Sequence, residues 1–321
     1  MDRRLILFAC LACFILTGAF GQTDSLPDST AAFIRSFPEK ITFRTSLVNT
    51  GNSFYFRDRD TGDHLLLNPG AVNYLGFSLL FRSVELDLGF APQFLNEPRA
   101  DADPSLFNLN FRMFSGRWMQ TFDFYLEDGF YFDLDDITGY LPNLRTLKFG
   151  GVTSYIFNPR FSFRAISFQN EWQRKSAGSF IPSLLLYYTR YRLTDVDFKE
   201  ISRTYNLAAG PGYYYNWVIH NNFIFSLGNS TGLGVGFLDE GGPWSTTLLF
   251  QSIFRTALGY NSERFFAGIN ASYTFLNHGN LDGQRLDDRI HFAEAYVGYR
   301  FNAPAKWVRA ADRVNKKLGL D

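Results

Sequence analysis

The chain has 321 residues, with 31 Lys and Arg balanced by 31 Asp and Glu, so net charge gives no argument for a nucleic-acid partner. Aromatic residues make up 18% of it, including 36 Phe and 17 Tyr, while charged residues make up only 19%. That balance is too aromatic for disorder and its apolar residues are too dispersed for a helical membrane protein, which leaves a β-rich chain.

Arg3 and Arg4 precede the apolar run Leu5 to Leu16, and Ala19-Phe20-Gly21 puts small residues at the two positions a signal peptidase reads. Residues 1–21 are therefore predicted to be a signal peptide cleaved before Gln22. An uncleaved anchor fits less well because the run is short and ends at Thr17-Gly18, and too little apolar sequence precedes Cys10 or Cys13 for a lipid-modified cysteine. Both cysteines lie in this segment, so the exported chain would carry no disulfide and no thiolate metal ligand. Residues 22–38, polar and with two prolines, read as a periplasmic leader.

From Glu39 the hydrophobic period is two. Ile41, Phe43 and Leu47 alternate with polar residues, as do Val84, Leu86, Leu88 and Phe90, then Phe107, Leu109, Phe111 and Met113, then Phe122, Phe124 and Leu126. Ala293, Ala295, Val297, Tyr299 and Phe301 close the series. The apolar set is large and aromatic, and the alternate set mixes Asn, Gly, Thr and both charge signs, which suits a barrel with lipid outside and a polar lumen better than a soluble sandwich. Residues 204–238 contain no Asp, Glu, Lys or Arg, yet Gly210-Pro211-Gly212, the scattered glycines and His220-Asn221-Asn222 make two adjacent strands the better reading than a membrane helix.

Thirteen stretches read as strands: 39–48, 64–81, 84–92, 105–114, 118–128, 144–157, 161–169, 179–191, 205–219, 223–237, 245–260, 265–277 and 289–302. A single-chain bacterial barrel takes an even number, so one of them is surplus. The prediction is an all-β, antiparallel transmembrane β-barrel of about twelve strands, with ten to fourteen compatible, over residues 39–302. The uncertainty lies between residues 144 and 219.

Several segments carry a resemblance. Phe33-Ile34-Arg35 with Pro38, Phe161-Ser162-Phe163-Arg164-Ala165, the run Glu171 to Phe180, and Gly259-Tyr260-Asn261 resemble an uncharacterised family of exported Bacteroidota outer-membrane proteins known as domain of unknown function 4421. The likeness covers nearly the whole exported chain and is most specific in Gln173-Arg174-Lys175-Ser176-Ala177-Gly178-Ser179. It implies an outer-membrane location and carries no catalytic residues.

Outer-membrane lipid hydrolases place a Ser nucleophile two residues after the His base, on one face of a strand. His64, His220, His278 and His291 are followed at that offset by Leu66, Asn222, Asn280 and Ala293, so none offers a hydroxyl, and the histidines read as loop and rim residues. Asp63-His64 is the only adjacent Asp–His pair available to a paired-acid protease. Gly232, Gly234 and Gly236 lack the Lys-Ser or Lys-Thr of a phosphate loop and read as wall glycines. The Gln173–Ser179 run is either a solvated loop or an inward-folded segment that narrows the lumen or meets a partner.

Glu85, Asp87, Arg112 and Asp123 fall on the polar face of neighbouring strands and are predicted to share the lumen as a polar network. Pairing across the interior would favour a closed lumen over a wide channel. The connections after the first, third and fifth strands carry Asp58, Asp60 and Asp63, then Asp101 and Asp103, then Asp133, Asp135 and Asp136, which makes an acidic outer rim. Arg82, Arg117 and Arg160 occupy the connections at the opposite end. Asp133, Asp135 and Asp136 are candidate oxygen ligands for Ca²⁺ or Mg²⁺ held together with lipopolysaccharide phosphates, against the plainer reading as a solvated loop. In the C-terminal tail 303–321, Trp307, Ala311, Val314 and Leu318 recur at helical spacing among five basic residues, as in a short amphipathic helix on the periplasmic membrane surface.

The sequence therefore predicts a non-enzymatic outer-membrane barrel, a structural or narrow-transport element with no cofactor and with membrane lipid as its surroundings. A lipid hydrolase of phospholipase or lipid A deacylase type, and a soluble periplasmic β-protein, are the alternatives.

Overall fold

The computed structural model describes residues 28–58, 62, 64–69, 73–81, 84–96, 105–134, 137–166, 170–194, 199–281 and 284–318. The expected signal peptide with its two cysteines lies outside the described residues, as do Asp60, Asp63, Arg82, Asp101, Asp103, Asp135 and Asp136. A helical turn α1 (Asp28–Ala31) and a short strand β1 (Ile34–Ser36) precede β2 (Lys40–Asp58), β3 (His64–Pro69), β4 (Asn73–Phe81) and β5 (Val84–Phe90). Then come β6 (Ser105–Ser115), β7 (Trp118–Leu134), β8 (Ile137–Tyr155), β9 (Glu171–Gln173), β10 (Ala177–Phe180) and β11 (Ser183–Thr194). The rest is β12 (Lys199–Gly210), β13 (Gly212–Ile219), β14 (Phe223–Asp239), β15 (Ser245–Asn261), β16 (Phe265–Leu281), β17 (Gln284–Asn302) and the helix α2 (Ala305–Leu318).

Twelve positions close a ring of antiparallel neighbours: β2, β4, β5, β6, β7, β8, β11, β12, β14, β15, β16 and β17, with β17 returning to β2 from Ile41 opposite Phe301 to Asp58 opposite Gln284. β10 and β11 are one wall strand interrupted at Pro182, and β12 and β13 another interrupted at Pro211. Phe180 faces Tyr213 and Ser183 faces Gly210, so the register runs through the break. Proline has no N–H to give the ladder, and the bonds Ile181 N to Gly212 O (2.8 Å) and Thr231 N to Pro211 O (2.9 Å) carry it past the gap.

The alternation seen in the sequence sorts as expected. Phe43, Leu47, Leu86, Leu88, Phe90, Phe107, Phe122, Val297 and Phe301 point outward and are exposed, whereas Thr42, Arg44, Ser46, Thr50 and Asn52 point inward and are buried. A water-soluble sheet would reverse this, so the exterior is a lipid-facing surface and the soluble alternative is overturned. Near the turns at one end the outer face is aromatic. Trp118 meets Tyr155 at 4.9 Å, Phe157 meets Phe180 at 5.5 Å and Trp217 meets Phe225 at 5.3 Å between ring centroids, which is the aromatic girdle of a membrane interface.

The surplus strand is the stretch predicted at 161–169, of which 161–166 lie among the described residues and form no strand. Phe161, Ser162, Phe163, Ala165 and Ile166 are all buried, and a lipid-facing strand would bury only alternate residues. This part of the connection between β8 and β10 turns into the barrel instead. The connection after β7 is also shorter than expected, because β7 and β8 run on to Leu134 and Ile137. β3 departs from a simple ring too: it pairs with β2 and then directly with β7, through Leu65 opposite Leu134 and Pro69 opposite Phe130. At that level β3 joins β2 to β7 without β5 and β6 between them.

Candidate functional site

The lumen is built in three storeys. At the end where β2 begins and β17 finishes, called the base, the segment between β8 and β10 forms a plug. Phe161, Phe163 and Ile166 pack with the wall residues Phe114, Met119, Ile181 and Tyr214, and Ala165 packs with Ile224, Phe266 and Tyr296. Polar bonds pin it. Gln173 is buried and accepts the Ser162 amide at 2.7 Å while its Nε2 donates to the carbonyls of Arg160 (2.7 Å) and Lys175 (2.9 Å). Asn216 on β13 donates to Ser162 O at 3.0 Å, and Asn261 on β15 donates to Glu171 O at 3.1 Å. Below the plug the leader closes over it: β1 pairs with β9, Ile34 opposite Gln173 and Ser36 opposite Glu171, and Arg35 is ion-paired to Glu263.

The Gln173–Ser179 run divides between the two readings the sequence offered. Gln173, Ala177 and Ser179 are buried, Arg174 and Lys175 are exposed, and the inward fold itself is made by the residues just before the run. Arg160 accordingly lies in a long connection that folds inward, and only Arg117 of the three basic base residues lies in a described tight turn.

The middle storey is polar. Arg112 Nη1 lies 2.8 Å from Glu85, and Arg44 lies 3.6 Å from Glu85, 3.2 Å from Asp87 and 3.7 Å from Glu294. Registers explain the assembly: Arg44, Ser78 and Asp87 are opposite one another on β2, β4 and β5, and Glu85 is opposite Arg112 on β5 and β6. Ser78 takes both Arg44 Nε (3.0 Å) and Nη2 (2.7 Å), and Asn270 donates to Glu294 at 2.8 Å. Thus Glu85, Asp87 and Arg112 come together as neighbours along the wall, and the residues that join them, Arg44 and Glu294, were visible only as members of the polar face. Asp123 makes no contact ion pair with them; it accepts the hydroxyl of Tyr187 and lies within electrostatic reach of Arg112.

Contacts across the interior come from other residues. Lys148 on β8 reaches Asp288 on β17 at 2.9 Å, and these strands are six positions apart in a ring of twelve, so the pair bridges the lumen across its diameter. Nearer the outer end Phe54 of β2 meets Tyr191 of β11 edge to face at 5.0 Å, within an apolar cluster that includes Leu67, Phe130, Leu144 and Leu286. Plug and cross-bars leave between them a cavity of about 220 Å³.

His278 is buried inside the lumen, which corrects the expectation that all four histidines are loop and rim residues. Its Nδ1 and the Thr247 hydroxyl both lie about where a side chain on Gly236 would stand, but Thr247 Oγ1 makes no hydrogen bond. Of the candidate cation ligands, Asp133 is exposed on β7, and among the described residues no three acidic, His or Cys side chains converge on a metal site.

A closed ladder with an apolar, aromatic-belted exterior and a polar interior defines a β-barrel of the bacterial outer membrane, here with its base occupied by its own chain. The chain belongs to the family described as domain of unknown function (DUF4421), whose sequence model matches residues 24–301. No curated protein matches it. Among solved structures it is similar to the outer membrane protease OmpT from Escherichia coli (8% identity, 83% of this chain and 98% of that one, TM-score 0.39). It is also similar to the outer membrane protein OprG from Pseudomonas aeruginosa (12%, 81% and 96%, TM-score 0.26) and to Ail, the attachment invasion locus protein of Yersinia pestis (13%, 80% and 98%, TM-score 0.18). At such scores shape carries no argument about activity, and the membrane assignment rests on the exterior described above.

Proposed function

We propose that the protein is a non-enzymatic barrel, a structural or narrow-transport element of the outer membrane that keeps bulk solutes from diffusing through its lumen. The observation that carries this reading is the plug, whose apolar side chains fill the base and whose backbone is tied to the wall by Asn216 and Asn261. Planar-bilayer recording is the test. The unmodified barrel is expected to give no conductance steps, and replacement of residues 161–166 by a Gly/Ser segment of equal length is expected to give them. Large steady steps from the unmodified protein overturn the closed reading, and release of fatty acid from phospholipid or lipid A by the purified barrel overturns the non-enzymatic one.

A further inference from the structure

The cavity above the plug has two charged walls and an apolar floor. Seven charged residues line it. Five are in ion pairs: Arg44, Asp87 and Glu294 with one another, Arg112 with Glu85, and Lys148 with Asp288. The remaining two, Asp123 and Arg255, are in no contact ion pair among the described residues, but they lie within electrostatic reach of each other, and Asp123 also of Arg112 and Lys148.

Both are presented by the same device. Asp123, Gly150 and Tyr187 stand opposite one another on β7, β8 and β11, and Arg255, Gly228 and Tyr214 on β15, β14 and β13. At Gly228 a Cβ would collide with the Tyr214 ring, and at Gly150 with the Leu186 carbonyl and with the Cα and ring of Tyr187, so in each row the bare glycine leaves the phenol room to reach the far strand. Tyr187 donates its hydroxyl to Oδ2 of Asp123, and Tyr214 lies against Arg255. A glycine one strand away from each charge is thus what lets a phenol orient it toward the cavity. The floor is apolar and belongs in part to the plug, through Phe163 and Ile166, with Met119 and Ile181 from the wall.

We infer that this cavity binds a small zwitterion of α-amino-acid type, its carboxylate on Arg255, its ammonium on Asp123 and its apolar side chain on the floor. A carboxylate and a guanidinium that line one cavity within electrostatic reach of each other, yet not in contact, favour a ligand carrying both charges, because a singly charged solute answers only one of them. The cavity, about 220 Å³, lies below the roughly 300–1,000 Å³ of sites for drug-sized ligands, which suits a small solute. The inference rests on the plugged barrel proposed above, since the plug supplies the floor.

The test uses the detergent-solubilised full chain and calorimetric titration with three probes: leucine, leucinamide, which lacks the carboxylate, and 4-methylpentanoate, which lacks the ammonium. Leucine is expected to bind at least tenfold more tightly than either half-charged probe. Arg255→Gln is expected to bring leucine down to the level of leucinamide, and Asp123→Asn down to that of 4-methylpentanoate. No binding of leucine by the unmodified protein, or equal binding of all three probes, overturns the inference without need of a variant. Leucine affinity unchanged in both variants overturns it as well. A silent bilayer recording together with absent leucine binding leaves the plugged-barrel reading standing and removes only this one.

Discussion

Glu85 is 1% exposed and sits between two arginines, Arg112 at 2.8 Å and Arg44 at 3.6 Å. Removing Arg112 deprives it of the nearer partner, and breaking a buried pair from one side costs more than the pair contributes, because a desolvated charge is left behind. Arg112→Met is therefore expected to destabilise the barrel by about 3 kcal/mol, at the low end of that class because Arg44 still faces the carboxylate. Arg112→Met combined with Glu85→Leu is expected to recover all but about 1 kcal/mol, since an apolar pair of similar volume leaves no ion unpaired. Urea unfolding of the detergent-folded protein measures both, and a double variant no better than the single one counts against the pairing. Face was legible at this scale and partnership was not. Alternation put Arg44, Glu85, Asp87, Arg112 and Glu294 on one face, but Arg44 meets Glu294 only because β17 closes on β2, and that seam joins residues 250 positions apart in the chain. Hairpin turns fix neighbouring registers locally, whereas closure depends on the shear of the whole ring.

Among the elements, the segment 161–166 shows why an odd count of strand-like stretches mattered. Phe161, Phe163 and Ala165 have the spacing of a wall strand, and Arg164 sits where a lumen charge belongs. Yet Arg164 instead stacks over Phe114 at 4.4 Å and bonds Glu171 at 3.1 Å, inside the base. Periodicity reports which residues share a face and is silent on whether the face meets lipid or the interior of a barrel. The parity rule flagged a surplus strand without saying which it was. Gln173 holds the plug's own backbone together through three short bonds. Gln173→Leu is expected to leave the Ser162 amide and two carbonyls without that partner, at a cost of about 1–3 kcal/mol for each group that water does not reach. Because those bonds join plug to plug rather than wall to wall, hydrogen exchange at residues 161–166 is expected to accelerate while β15 and β16 keep their protection. Uniform acceleration over the whole barrel is the result that makes the plug an inseparable part of the wall.

As a whole molecule the protein has an asymmetry along its axis. Both ends of the wall, Lys40 and Asn302, meet at the base, where Gly116-Arg117, His220 to Asn222 and Ser262 to Arg264 are tight connections. His220 and Asn221 adopt the left-handed conformation, at φ 48° and 64°, that such a turn requires. In bacterial barrels the short turns mark the periplasmic end, so the opposite end, with the connection between β5 and β6, is expected to face outward. Closure and orientation have separate readouts. A ladder with no free edge gives detergent no strand to peel, so unheated protein is expected to run faster on a denaturing gel than boiled protein, and equal mobility contradicts the closed ring. For orientation, a tag inserted at Thr61, between β2 and β3, is expected to react with an impermeant label on intact cells, while a tag after Asp321 reacts only once the outer membrane is opened. The reverse labelling pattern turns the barrel over, and with it puts the plug at the cell surface, where it would guard entry from outside instead of lying against the periplasm.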